Sequence, residues 1–190
     1  MFRALSLRRI SKRTTERTTE RATVKAETRA AAVGHPVTAA QCLAILTRTG
    51  RTVAVAESLT GGMLAAVFTS VPGASKAFRG GLVVYASDLK ASLAGVPAEM
   101  LATYGPVSEP VAAALAAGVR ERLRADFGLA TTGVAGPDKQ DGIDVGTVYV
   151  ALAAGGRPTV EKLQLDGTRA RIRGDSMTAA VELLGRHLVT

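Results

Sequence analysis

Thr52-Val53-Ala54-Val55-Ala56-Glu57-Ser58-Leu59-Thr60-Gly61-Gly62 is the stretch whose reading decides the fold. Thr52 to Ala56 is a short apolar run rich in Val, bounded on one side by Gly50 and on the other by polar residues, so it reads as a buried strand. Apolar positions resume after Gly62 at helical spacing, and Pro72-Gly73 ends them, which predicts a helix over about Thr60 to Thr69. A buried strand running through a Gly-rich turn into a helix is the repeating unit of an α/β fold.

Working outward, the same alternation continues in both directions. Upstream, Thr38-Ala39-Ala40-Gln41 is a capping box, with apolar Cys42, Leu43, Ile45 and Leu46 behind it and Gly50 as the stop. Downstream, Gly81 to Tyr85 reads as a strand, Ser87 caps a helix to about Ala94, and Pro97 opens a short helix. Ser108 caps a long Ala-rich helix over Glu109 to Ala125. Phe127 to Thr132 is a third strand and residues 133–146 a Gly-rich loop. Thr147 to Ala154 and Val160 to Leu165 are two more strands joined at Gly-Gly-Arg-Pro, and Thr168 to His187 closes as a helix. The expected architecture is a single-domain α/β sandwich, with a mixed, largely parallel sheet flanked by helices and its last two strands antiparallel.

Charge divides the 190 residues into two parts. The chain has 24 Lys and Arg against 16 Asp and Glu, but residues 1–36 hold nine of the cations and three of the acids, so six of the eight net positive charges lie there. That segment repeats Thr-Thr-Glu-Arg at 14–17 and 18–21 and has few large apolar residues, so it reads as a basic, disordered arm ahead of a domain at 37–190. The arm admits three readings: a solvated tail, an extension from an upstream start, or a basic arm for nucleic acid or an acidic partner. Its Arg-rich start resembles a transit peptide in part, against which stand Glu16, Glu20 and Glu27, and it has no secretory apolar region. The rest is near neutral, which gives no electrostatic reason to expect nucleic acid there. One cysteine, Cys42, excludes a disulfide scaffold and fits a cytoplasmic protein, and no apolar run approaches the ~20 residues of a membrane span.

Chemistry in such folds gathers at the carboxyl edge of the sheet. Ser58 lies between a strand and a helix start, where unpaired backbone N–H groups would stabilise an oxyanion or a phosphate, and Gly61 and Gly62 allow close approach. The turn lacks the Gly-Lys-Ser/Thr of a phosphate-binding loop and the flanking glycines of a nucleophile elbow, so Ser58 or Thr60 could equally be a helix cap. A serine nucleophile needs a base. His35 and His187 lie at the arm boundary and near the end of the chain, which disfavours a histidine triad, whereas Lys90 stands in the first turn after the Gly81 to Tyr85 strand. A desolvated lysine there could take the hydroxyl proton, and the plain alternative is a solvated surface lysine. Asp138, Asp141 and Asp144 invite a metal reading, but their spacing fails a calcium loop, no His or Cys is near, and neither metal nor cofactor is expected. Tyr104 and Tyr149 read as packing residues.

The segments Ala56 to Gly62, Val71-Pro72-Gly73-Ala74-Ser75, Tyr85 to Lys90, Gly105-Pro106-Val107-Ser108, Thr132 to Pro137 and Val145 to Tyr149 together resemble the C-terminal domain of the CinA family, which includes the PncC nicotinamide-nucleotide amidohydrolases. The resemblance covers roughly residues 38–189. It implies hydrolysis of the carboxamide of nicotinamide mononucleotide to nicotinate mononucleotide and ammonia. It assigns the catalytic serine to Ser58, the partner lysine to Lys90 and a site tyrosine to Tyr85. Thr60, Gly61 and Gly62 would continue the donor turn, Thr132, Gly133 and Gly136 would line a nucleotide pocket, and Arg173 would meet the phosphate. The same resemblance, with the Ala-rich helix, suggests a homodimer. Leu59 stands where the family often has Cys, and Ala86-Ser87-Asp88-Leu89 where it often has Ser-Asn-Glu-Ala. Two further readings stay open: a silent nucleotide-binding module in which Ser58 only caps a helix, and a competence- or DNA-damage-related protein acting through the arm.

Overall fold

A computed structural model describes residues 37–189 of the chain. The expectations for residues 1–36, His35 among them, lie outside the described residues.

Helix α1 (Ala39–Thr49) begins and ends as its sequence dictates. Thr38 Oγ1 accepts from the Gln41 N–H at 3.3 Å while Gln41 Oε1 accepts from the Thr38 N–H at 2.8 Å. Gly50, at φ 67°, turns the chain left-handed at the other end. Strand β1 (Val53–Glu57) comes next, buried along its whole length, then α2 (Met63–Thr69), a single 3-10 turn (Ala74–Lys76) and β2 (Phe78–Val83). Three helices succeed it: α3 (Ser87–Ser92), α4 (Ala98–Tyr104) and α5 (Glu109–Arg122). Then come β3 (Phe127–Gly133), β4 (Thr147–Ala153), β5 (Thr159–Gln164) and the long α6 (Arg169–Val189).

The five strands form one mixed sheet in the order β2-β1-β3-β4-β5. β1 is parallel to both its neighbours, whereas β3–β4 and β4–β5 are antiparallel, as expected for the last two strands. The side chains of β1 divide by alternation. Val53 and Val55 enter a core with Leu46, Phe68, Leu129 and Leu184, packed by α1, α2 and α6, while Ala54 and Ala56 enter a second core with Val111, Leu115 and Ala130 on the α5 side.

Several boundaries and one cap differ from the sequence reading, and α5 ends at Arg122 rather than Ala125. Helix α2 starts at Met63 rather than Thr60, because Gly61 and Gly62 take φ 57° and 98° and hold the preceding residues in a turn. Strand β2 starts at Phe78 rather than Gly81 and ends at Val83, since Gly80 and Gly81 pair with Ala54 and Val55 although they have no side chain to pack. Ser108 does not cap α5 through its side chain; its hydroxyl donates to Gly105 O at 3.1 Å.

The Ala-rich face of α5 is used inside the chain. Val111, Ala112, Leu115, Ala116 and Val119 are buried against the sheet, so the composition that suggested a dimer surface is explained by helix-on-sheet packing. The approach is so close that a methyl group at Gly128 would overlap the Ala116 carbonyl oxygen and stand 2.7 Å from Arg120 Cβ. Gly128→Ala should therefore lower stability by about 1–3 kcal/mol, measured by thermal or urea unfolding. Gly174→Ala in α6, where a methyl group meets nothing within 4 Å, should be neutral or stabilising by up to ~1 kcal/mol.

Candidate active site

Ser58 is the first residue beyond β1, and its N–H still donates to Thr131 O at 3.0 Å, so the sheet fixes its backbone. The path of the chain beyond Ser58 is set by Glu57. This side chain is fully buried, and both its oxygens accept from the start of α2: Oε2 from Gly62 N–H at 2.9 Å and Leu64 N–H at 3.0 Å, Oε1 from Ala65 N–H at 2.8 Å. The helix N-terminus that looked open to a ligand anion is filled by the chain's own carboxylate.

That arrangement decides which N–H groups remain. Gly61 N–H donates to Ser58 O at 3.1 Å and Gly62 N–H to Glu57, so neither glycine amide is free. Among the described residues, the N–H groups of Leu59 and Thr60 donate to no protein acceptor. The opposite side of the loop is held by Arg173, whose Nε donates to Leu59 O at 2.8 Å and whose terminal nitrogen donates to Thr60 O at 2.9 Å.

Lys90 comes to Ser58 from α3, across the end of β2. Its side chain is almost wholly buried, at 2% exposure, and Nζ lies 3.0 Å from Ser58 Oγ and 3.0 Å from Val84 O. Val84 N–H in turn donates to Glu57 O at 2.8 Å, which locks the end of β2 to the end of β1. Burial pushes the Lys90 ammonium down to about 8 from an ordinary 10.5, because the charged form is deprived of water. A buried amine beside a hydroxyl, ionising near neutrality, is a general base in position to activate a nucleophile.

Both groups open into a cleft of about 310 Å³ at the carboxyl edge of the sheet. Tyr85, Gly133 and Gly136 also line it, and Pro106 and Val107 form an apolar wall. Thr60, Gly61, Gly62, Thr132 and Arg173 are not among the lining residues. Thr60 is buried with its hydroxyl 2.8 Å from that of Thr131, and Thr132 donates to Pro106 O at 2.7 Å, holding the wall from behind. Arg173, expected at the phosphate, is instead the clasp on the serine loop.

The arginine at the cleft is Arg169, which sequence reasoning missed. Its guanidinium donates to Gly136 O and, at 2.8 Å, to the Tyr85 hydroxyl oxygen. Helical spacing held the signal. Arg169 and Arg173, four residues apart, share a face of α6 that turns to the site, while Arg171 points away to pair with Asp175. Asp138 and Gln140 stand at the exposed mouth, on a loop closed by a Lys139–Asp144 ion pair and a Gln140–Ile143 bridge. Among the described residues no group of three His, Cys, Asp or Glu could hold a metal ion.

The comparisons agree with this architecture. The profile described as CinA C-terminal domain matches residues 36–188. A CinA-like protein of Frankia casuarinae is 51% identical over 146 residues, covering 77% of this chain and 34% of its own length; a putative competence-damage inducible protein of Desulforudis audaxviator is 48% identical over 141 residues, covering 74% and 34%. The chain thus spans about a third of the length of these curated relatives. Among solved structures, the competence/damage inducible protein CihA of Agrobacterium tumefaciens is 35% identical with a TM-score of 0.76, covering 80% of this chain and 93% of that one. A CinA superfamily protein of Klebsiella pneumoniae has the same TM-score at 28% identity, covering 79% and 94%. With that fold, that profile and those relatives, the chain belongs to the CinA C-terminal domain family.

Proposed function

We propose that the chain is an amidohydrolase that converts nicotinamide mononucleotide to nicotinate mononucleotide and ammonia through a Ser58–Lys90 dyad. The observation that carries this reading is the 3.0 Å contact between Ser58 Oγ and a buried, desolvated Lys90 Nζ at the floor of the cleft. The names of the relatives do not specify a reaction, so the substrate rests on the resemblance and on the chemistry of the site.

Neutral Lys90 takes the proton of Ser58 Oγ as the oxygen attacks the carboxamide carbon. The tetrahedral oxyanion is met by the N–H of Leu59, which lines the cleft beside Ser58 and donates to no protein acceptor among the described residues. Protonated Lys90 returns its proton to the departing nitrogen, ammonia leaves, and an ester on Ser58 remains. Water then attacks that ester with Lys90 again as base, releasing the carboxylate and restoring the serine. No redox step or metal is needed for the atoms and charges to balance.

Arg169 is the phosphate-binding candidate in this reading. It lies at the cleft with N–H donors to spare beyond those given to Gly136 and Tyr85, and its charge is not taken up by an ion pair among the described residues. Tyr85, a residue 57% exposed whose hydroxyl accepts from Arg169, forms the rim against which a pyridine ring can lie.

Ammonia release from nicotinamide mononucleotide tests the reaction. Ser58→Ala and Lys90→Ala should each lower kcat by about 10³-fold or more, with turnover of the parent unaffected by EDTA; a folded parent with no turnover would sink the assignment. The pH profile checks the base. Since the lysine must be neutral to accept a proton and its pKa is lowered to about 8, kcat should rise with pH and level off above about 8. An ordinary lysine would leave it rising toward 10.5. Arg169→Ala should raise KM for the nucleotide by about 10-fold or more, while leaving the response to unphosphorylated nicotinamide riboside unchanged.

A further inference from the structure

The near-neutral charge of residues 37–190 hides a separation that only the fold makes visible. At the end of the sheet opposite the cleft lie the amino ends of β1, β2 and β3 and the carboxyl end of antiparallel β4, whose Ala153 pairs with Gly128. Four chain segments build this edge: 48–52, 74–79, 120–127 and 154–158. They carry eight cations (Arg48, Arg51, Lys76, Arg79, Arg120, Arg122, Arg124 and Arg157) against two acids, Glu121 and Asp126. The rest of 37–190 has seven cations against eleven acids. A body of net +2 is therefore a +6 edge on a −4 remainder.

The segments meet in space. Arg79 Nε donates to Leu123 O, Arg120 Nε donates to Asp126 O, and Asp126 Oδ2 accepts from Thr52. Arg51 lies over the Phe127 ring, and a methyl group at Gly155 would stand 3.6 Å from the Arg120 guanidinium. Among the described residues none of the eight forms an ion pair; the three that exist, Lys139–Asp144, Arg171–Asp175 and Arg186–Glu161, lie elsewhere. Helix dipoles do not account for the charge. The carboxyl ends of α1 and α5 lie here, but each offers only about −0.5 of an elementary charge.

We propose that this edge is a docking surface for the phosphate backbone of a nucleic-acid duplex, separate from the cleft. Seven of the eight cations are arginines, whose planar forks suit phosphate oxygens. The edge crosses four adjacent strands, roughly 14 Å, and a duplex carries a charge about every 1.7 Å, so cations and phosphates are similar in number over that span. A protein partner fits less well, because stable protein interfaces have an apolar or aromatic centre. This edge has no exposed one: Phe127 is buried, Phe78 is half-buried with its ring stacked on Phe68, and the exposed large apolar side chains among the described residues (Val83, Tyr85, Leu93, Tyr104 and Val189) fall outside the four segments. For the same reason no ring is offered for bases to stack on, so the surface reads backbone and is indifferent to sequence.

The test is fluorescence anisotropy of the full chain with a labelled mixed-sequence duplex of about 20 base pairs, titrated over a range of salt. The side chains of Arg48, Arg122 and Arg157 make no hydrogen bond or ion pair among the described residues, Arg122 only packing beside Gly95, and they serve as the variants. The triple change to Glu should weaken binding by at least about ten-fold and flatten the log–log salt slope by about 0.9 for each phosphate no longer neutralised. Thermal unfolding and ammonia release should be unchanged, since the cleft is at the other edge. The triple change to Gln should give a smaller loss in the same direction and keeps the test valid if the Glu variant misfolds. Three outcomes overturn the proposal: no duplex binding by the parent at low salt; equal binding by parent and variants, which would place it in residues 1–36; or poly-glutamate or anionic vesicles bound as tightly and lost with the same variants.

Discussion

Glu57 accepts three backbone N–H groups of the chain segment just after it, and the site is arranged around that contact. A buried carboxylate with no cation within ion-pair distance among the described residues is costly unless its oxygens are satisfied, and the start of α2 supplies both hydrogen bonds and the positive end of a helix dipole. To bring Gly62, Leu64 and Ala65 back onto a residue at the end of β1, the chain must reverse within Ser58 to Gly62. Gly61 and Gly62 in left-handed conformations make this possible. Ser58 thereby stays at the sheet edge and is not drawn into the helix as a cap. The loop's remaining carbonyls are gripped by Arg173 from α6, so the serine is fixed from the strand, from the helix start and from the far side of the molecule.

The two faces of the sheet serve this arrangement differently. Large side chains (Phe68, Leu46, Leu129, Leu184) fill the face under α1, α2 and α6, which carries the serine loop and its arginine clasp. The other face is Ala and Gly where α5 lies, and that lets the helix backbone come almost into contact with β3 at Gly128. Tight packing on one side allows the loop ahead of α5 to reach the cleft, where Thr132 anchors Pro106 as a wall. Rigid backbone thus surrounds the dyad, while the rim at Asp138 and Gln140 is exposed.

Much of this was legible in the sequence, for reasons that can be named. The capping box at Thr38, the buried run at 52–56, one residue ahead of the observed strand, and the antiparallel pair at the end obey local rules that the fold does not override. Ser58 and Lys90 were readable because each stands at a strand-to-helix turn, and parallel neighbours bring such turns to one edge. Sequence alone assigns Thr132, Gly61, Gly62 and Arg173 to a ligand, whereas in the fold Thr132 donates to Pro106 O, the two glycine amides to Ser58 O and Glu57, and Arg173 to the loop carbonyls. Nothing local announces that Glu57 points back onto the helix after it. Strand β2 was misjudged because Gly80 and Gly81 have no side-chain pattern to read. The basic edge is invisible for a different reason: its charges come from segments as far apart as Arg48 and Arg157, and only the strand order collects them.

The protonation state of Lys90 depends on its partners as well as on its burial. As an amine, Nζ can donate to Val84 O and keep its lone pair for the Ser58 hydroxyl hydrogen, so both contacts are satisfied at once. As an ammonium it donates to Ser58 Oγ and Val84 O instead, but its full charge has been stripped of most of its water, and that desolvation is what lowers its pKa. The site therefore brings the form that can accept a proton within reach of neutral pH, and the ammonium formed on proton transfer is stabilised by the negative charge that develops beside it in attack on a carbonyl. The Val84 carbonyl that orients the amine belongs to the residue whose N–H is bonded to Glu57 O. Base and nucleophile are thus registered through the backbone of Val84, which is bonded to Glu57 beside the serine on one side and holds the lysine amine on the other.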